Sequence, residues 1–448
     1  MARRPSPTLA SISTAQPYSR LGTVMRFTPG AAPEGLKRLH AGGFRVASSR
    51  EFRTAAAVPH DFDGADAQYF ERFGIAIIRR DGQRLKPVLE SAMEKKIVSS
   101  VRPEQQYRAL SRRIVGAVES EGPMASDGGF DADYLRGYRD GVNALVDRLL
   151  GETAAEGRKS AREPFDETSA TWGLQAIGAL HSKYSGAGIK VAVLDTGFDE
   201  THPDFQGRSV TKKLFASKSS PNDVEGHGTH CIGTACGPLR PHSGPRYGVA
   251  YGAEIYAGKV LGDDGYGTDR SIIAGMDWAV EQGCQIISMS LGAPTRIGDT
   301  PNDDYEQIGK VCLDSGTLVV AAAGNESARP RKIAPVGSPA NASTIMAVAA
   351  VDRDMKPAYF SCGGLNAGQD VDVAAPGADV LSTVPGGGYE RMDGTSMATP
   401  HVAGIAALVA ESDPQYRGWA LWARVLQLSK RLNKPARDVG KGLAQAPK

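Results

Sequence analysis

The sequence predicts an α/β protein, with a mainly parallel sheet between helices and a small ferredoxin-like α+β unit ahead of it. Three observations predict this. Five near-continuous apolar runs, at residues 189–194, 254–261, 286–290, 318–323 and 344–349, have the character of strands covered on both faces. Helical patterns at 271–282, 303–315 and 399–411 lie between or after them. Upstream, residues 21–110 read as strand, helix, strand, strand, helix, strand.

The upstream elements follow from local composition. Residues 23–27 (Thr-Val-Met-Arg-Phe) are strand-like, and 33–41 form a helix ended by Gly42-Gly43. Residues 44–46 restart an extended segment before a polar loop. The run 73–78 is a buried strand. Helix 83–95 follows, with Leu85, Val88, Leu89 and Met93 at helical spacing. A last strand at 97–101 is closed by Pro103. Residues 1–20, rich in Ser, Pro and Ala, read as a flexible tail. Residues 111–170 read as a linker carrying an amphipathic helix at 132–150, with Tyr134, Tyr138, Val142, Leu145 and Leu149 on one face. The larger domain occupies 171–448.

Bulk properties exclude several classes. The 448 residues hold 52 Lys plus Arg against 50 Asp plus Glu, so no basic field argues for nucleic acid. No apolar run approaches the roughly 18 residues of a membrane span. The N-terminus is basic but has no apolar segment behind it. Five scattered cysteines make no disulfide framework. Together these imply a cytoplasmic protein, or one exported without a recognisable signal peptide.

Three short runs carry the chemistry: Val193-Leu-Asp-Thr-Gly197, Gly226-His-Gly-Thr-His230 and Gly394-Thr-Ser-Met-Ala398. They supply a carboxylate, an imidazole and a hydroxyl, the parts of a serine nucleophile system. Asp195 ends a buried strand, at the sheet edge where open α/β sheets hold their ligands. It would fix the tautomer of His227, which would act as general base and acid. Ser396 would lie near a helix N-terminus, where free N–H groups favour a developing oxyanion. Each run also has a plain reading: a turn aspartate, a structural histidine, an N-cap serine. A zinc site from His227, His230, Cys231 and Cys236 lacks the usual ligand spacing.

The extended run Gly394-Thr-Ser-Met-Ala-Thr-Pro-His401 resembles the nucleophile motif of the subtilisin-like serine proteases, the subtilases. The order Asp, His, Ser is the one that family uses. The resemblance covers residues 172–446. It implies a three-layer fold with a seven-stranded parallel sheet and endopeptidase activity through an acyl-enzyme. It implies Asn325, in Ala321-Ala-Ala-Gly-Asn325, as oxyanion donor beside the Ser396 N–H. It also implies that Gly265, Gly267, Ser290, Leu291 and Gly292 bind protein or peptide substrates as extended backbone. The unit at 21–110 resembles the family's inhibitor-like prodomain, an intramolecular partner that blocks the cleft. An unrelated α+β module stays open as its alternative. Residues 111–170 depart from the family's direct junction. Their helix either packs on the larger domain or belongs to a hinge cut during activation.

No cofactor is required for this chemistry, and the sequence assigns no metal ligands. Asp204 matches a residue that ligates calcium in many relatives, but residues 237–246 lack the oxygen ligands such a site needs. The acids Asp299, Asp303 and Asp304 read as a solvated loop capping a helix, or as a cation site. Glu326 would face the pocket before the cut and favour a basic residue there. The alternative function is a silent or partner-gated binding protein that keeps the fold.

Overall fold

A computed structural model describes residues 21–52, 64–79, 82–113, 165–216, 219–220 and 222–448. The predicted tail at 1–20 and helix at 132–150 lie outside the described residues.

The N-terminal unit runs β1 (Thr23–Phe27), α1 (Ala32–Ala41), β2 (Val46–Ser48), β3 (Ala67–Phe70), β4 (Ile75–Ile78), α2 (Gly82–Glu94) and β5 (Val98–Pro103). Its sheet order is β2-β3-β4-β1-β5. The β3-β4-β1-β5 part is antiparallel throughout, which is the ferredoxin-like arrangement. One expectation shifts. The second strand of that pattern is β3, which the sequence reads as polar loop, and the predicted strand near residue 46 is an extra edge strand parallel to it. The run Ala67-Gln-Tyr-Phe70 is too short and mixed to announce itself, and only pairing with β4 makes it a strand.

This small sheet is buried on both faces, with the two-residue period of a pleated strand. Met25, Phe27, Ala76 and Ile78 pack with Leu39 of α1 and Leu89 of α2. The alternate residues Val24, Ile75 and Ile77, with Phe70 and Phe73, join the core of the larger domain. A segment of two short strands follows, β6 (Gln106–Ala109) and β7 (Arg112–Arg113).

The larger domain is built on β8 (Lys190–Asp195), β9 (Val210–Leu214), α3 (His227–Cys236), β10 (Glu254–Lys259), β11 (Tyr266–Thr268), α4 (Asp269–Glu281) and β12 (Ile286–Met289). It continues with β13 (Leu291–Gly292), α5 (Asp303–Asp314), β14 (Leu318–Ala322), β15 (Met346–Val351), β16 (Val373–Pro376), β17 (Val380–Val384), β18 (Gly388–Asp393), α6 (Thr395–Ser412) and α7 (Gly418–Leu428). Seven strands form one sheet in the order β16-β15-β14-β12-β8-β10-β9, and every pair is parallel. The five apolar runs are its five inner strands. The two edges, β9 and β16, escape the sequence reading for a physical reason. β9 carries Lys212 and Lys213 and is only half-buried, and β16 is short and ends in Pro376. Among the described residues no helix is long and apolar enough to cross a membrane.

Helix α6 starts at Thr395, four residues before its predicted start. Pro400 therefore lies in its second turn, where its missing N–H leaves the Ser396 carbonyl without the usual helical donor. Ser290 Oγ takes that place at 2.8 Å. The Cys231 thiol lies 3.6 Å from the same oxygen.

Candidate active site

Asp195 is the last residue of β8, and His227 is the first of α3. The two glycine-bearing runs meet backbone to backbone. A Cβ on Gly228 would lie 2.2 Å from the Gly197 carbonyl oxygen, so no side chain fits there. This close approach brings His227 Nδ1 to 2.7 Å from Asp195 Oδ1, with both side chains buried. The same carboxylate oxygen accepts the Thr196 N–H at 2.7 Å. His227 Nε2 is buried with no hydrogen-bond partner among the described residues, which leaves it available as a base.

Ser396 sits in the first turn of α6, buried, and its Oγ donates to the Ser290 carbonyl at 3.0 Å. Cys231 links it to His227: the thiol lies 3.9 Å from His227 Nδ1 and touches the Ser396 carbonyl. Asn325 follows β14. Its Oδ1 accepts from the Thr395 N–H at 3.0 Å and hydroxyl at 2.9 Å. Those two bonds orient the amide so that Nδ2 points the other way, where it donates to the Leu110 carbonyl at 2.7 Å.

Residues around Leu110 lie against these groups. β6 lies between β11 and β13 and pairs antiparallel with both. Gly267 stands opposite Tyr107, Leu291 opposite Ala109 and Gly292 opposite Arg108. Gly265 accepts the Ala109 N–H at 3.0 Å, and Ser290 accepts the Leu110 N–H at 3.3 Å. All five residues predicted to hold extended backbone thus contact one segment of the chain itself. Past Leu110 the chain continues into β7, which adds to the β17–β18 hairpin. A Cβ on Gly394 would lie 2.4 Å from the Leu110 carbonyl oxygen, so only glycine lets this segment approach.

A family model for the subtilase family matches residues 186–442, more than half of the chain. The chain belongs to the subtilase family. It is similar to subtilisin BL of Lederbergia lenta, 40% identical over 275 residues that cover 61% of this chain and 93% of that protein. It is also similar to subtilisin E of Bacillus subtilis (strain 168), 41% identical over 239 residues, or 53% of this chain and 60% of that protein. The protein is a subtilisin-like serine endopeptidase.

Electrostatics in this subtilase suit the geometry. Burial opposes charging of His227, but the Asp195 carboxylate at Nδ1, backed by Cys231, outweighs it and raises the imidazole well above its ordinary value. His230 is the reverse case: burial and the nearby His227 push it down to about 3. Its Nε2 lies 3.0 Å from the Val380 carbonyl, a structural contact rather than a metal position. Among the described residues, the ligand atoms that cluster within 4.8 Å of one another are those of Asp195, His227 and Cys231.

Three acids singled out in the sequence find partners within the chain. Asp204 Oδ2 accepts the hydroxyls of Tyr247 at 2.5 Å and Tyr389 at 2.9 Å, and Oδ1 accepts the His242 N–H at 2.5 Å. Its surroundings are donors rather than oxygen ligands, and do not fit a calcium centre. Glu326 pairs with Arg108 at 3.2 Å, and its other oxygen accepts the Asn325 N–H. Asp304 is buried rather than solvated, held by Arg26 at 3.0 Å and Arg102 at 2.7 Å.

Two residues had no place in the sequence reading. Asp223 accepts the Thr196 hydroxyl at 2.9 Å, the Gly226 N–H at 2.9 Å, and the Thr229 N–H and hydroxyl at 2.8 and 2.7 Å. It ties the end of β8 to the start of α3. The other is Asp269, the first residue of α4. The signal available for each was an acid just ahead of, or opening, a helix.

Proposed function

We propose that this endopeptidase is made as a zymogen whose residues 21–110 block its own cleft, and that its first substrate is the Leu110–Ser111 bond. The observation that carries the reading is the Asn325 Nδ2 bond to the Leu110 carbonyl, made while β6 lies between β11 and β13. It is the contact an oxyanion donor makes with the carbonyl under attack.

In this reading Ser396 Oγ turns from the Ser290 carbonyl toward His227 Nε2, gives up its proton there and bonds to the Leu110 carbonyl carbon. The oxygen of the tetrahedral intermediate is held by Asn325 Nδ2 and the Ser396 N–H. His227, its charge stabilised by Asp195, returns the proton to the Ser111 nitrogen as the C–N bond breaks. Water, deprotonated by the same imidazole, then releases Leu110 from the acyl-enzyme. No step needs a metal or cofactor. Asp204 serves as a hydrogen-bonded strut between Tyr247, Tyr389 and the loop at His242. The five cysteines are all free and buried, which supports a reducing compartment or a route that leaves them reduced.

The test is labelling of the purified full chain with a fluorophosphonate, with Ser396→Ala as control, together with mass spectrometry of the N-termini. Labelling that is lost in Ser396→Ala, with a new N-terminus at Ser111, is the expected result. No labelling would sink the reading and favour the silent or partner-gated binding protein.

A further inference from the structure

Asp269 is fully buried, yet among the described residues every hydrogen bond that its carboxylate accepts comes from the N-terminal part of the chain: Arg102 lies in β5, Gln105 just ahead of β6 and Tyr107 within it. Arg102 donates to Oδ2 at 2.6 Å and to Oδ1 at 3.2 Å. The Gln105 N–H donates to Oδ2 at 2.6 Å, and the Tyr107 hydroxyl to Oδ1 at 3.1 Å. A carboxylate removed from water is costly unless donors surround it. Here the larger domain supplies none of them among the described residues. Of these donors Tyr107 is the one in the strand between β11 and β13, so Asp269 meets the occupant of the cleft through it.

Tyr107 is the part of that occupant with the most to lose. Counting back from Leu110, it is the fourth residue before the bond. Its side chain is buried, edge-on to Tyr305 with ring centroids 5.9 Å apart. Its backbone faces Gly267. The pocket thus takes an aromatic ring and sets the Asp269 carboxylate against its hydroxyl, with Gln105 Oε1 3.3 Å from the same hydroxyl. Burial, and then the Asp269 charge, hold the phenol well above its ordinary value, so it stays a donor.

We propose that Asp269 is a specificity-determining residue that makes this enzyme select peptides with tyrosine, over phenylalanine, at the fourth position before the cut. The inference rests on the reading of residues 106–110 as the occupant of the substrate cleft. A phenylalanine ring fills the same space but leaves the carboxylate facing an apolar edge. A site built to bond a hydroxyl rejects the analogue that lacks it, because the site's own polar group loses a partner. Arg102 departs with the N-terminal domain, so water reaches part of Asp269 in the processed enzyme. The discrimination is then of the order of tenfold to a hundredfold, the scale of one hydrogen bond to a charged group.

The experiment lets the full chain process itself and compares kcat/KM on two internally quenched peptides. Both reproduce residues 107–113, one with tyrosine at the first position and one with phenylalanine. The expected ratio is about tenfold or more in favour of tyrosine, falling to about one in Asp269→Leu. Asp269→Asn, whose amide oxygen still accepts, retains part of the preference. Equal rates on the two peptides with the unaltered enzyme overturn the role of Asp269 and leave the peptidase intact. A ratio that persists in Asp269→Leu overturns it as well. If Asp269→Leu does not fold, the two peptides with the unaltered enzyme still decide. Absence of turnover on both, with Ser396 unlabelled by a fluorophosphonate, overturns the peptidase reading and this inference with it.

Discussion

Arg102→Met should loosen the hold of the N-terminal domain on the cleft by about two powers of ten. Arg102 lies between two buried acids, Asp269 and Asp304, and its guanidinium donates to both, at 2.6 and 2.7 Å. Methionine keeps most of the apolar stem and removes the charge. Removing one partner of a buried ion pair costs about 3–5 kcal/mol, because the other charge is left buried. Two features put this case at the low end. Arg102 is itself 21% exposed, so water can follow it out. Each acid also keeps other donors, Gln105 N–H and Tyr107 hydroxyl for Asp269, Arg26 and Ser100 for Asp304. A loss of about 3 kcal/mol corresponds to roughly a hundredfold rise in the inhibition constant. The assay is inhibition of the processed enzyme by added residues 21–110, with and without the substitution, at one fixed ionic strength. Asp304→Asn in the enzyme should weaken inhibition too, and the double variant by less than the sum. A change below about threefold would show that the acids do not depend on Arg102.

Three further outcomes are expected. Asp223→Ala strands the four donors that join Thr196 to the start of α3. Stability should fall by about 3 kcal/mol, and kcat should fall far more than KM rises; a normal kcat in the folded variant would refute the positioning role. Activity needs neutral His227, whose folded value is raised by Asp195, so the acid limb of kcat/KM should lie above pH 6.5 and move down in Asp195→Asn. A limb that stays in place would contradict the pairing. Asp372 is pushed up to about 7 by burial. The native state thus holds a proton that the unfolded chain releases near pH 4, and stability declines as pH rises from about 4 to about 7. Asp372→Asn should remove that decline, so its melting temperature relative to wild type should climb across this window; a constant difference would refute the shift.

Some of this molecule is legible from short stretches of chain. The apolar runs of the five inner strands mark themselves, because a strand covered on both faces needs no polar alternation. The glycines beside Asp195, His227 and Ser396 mark close backbone approach, and at Gly228 and Gly394 the structure has no room for a Cβ. Even so, the Pro400 effect depended on where α6 begins, which a sequence sets only within a few residues.

Short stretches of chain carry the three runs, their order, the run that ends in Asn325 and the apolar inner strands beside them. Those features are local, since each lies in a handful of consecutive residues. Everything that depends on pairing distant segments came with the folded chain. β3 and the edge strands β9 and β16 became strands through their neighbours. Glu326 turned to Arg108, and Asp304 became buried beneath Arg26 and Arg102. Above all, the Leu110 carbonyl met Asn325, 215 positions along the chain, and Tyr107 met Asp269, 162 positions along. Such contacts leave no periodicity or local composition behind. They exist only because a sheet buried on both faces sets the N-terminal unit against α4 and α5 and delivers β6 into the cleft.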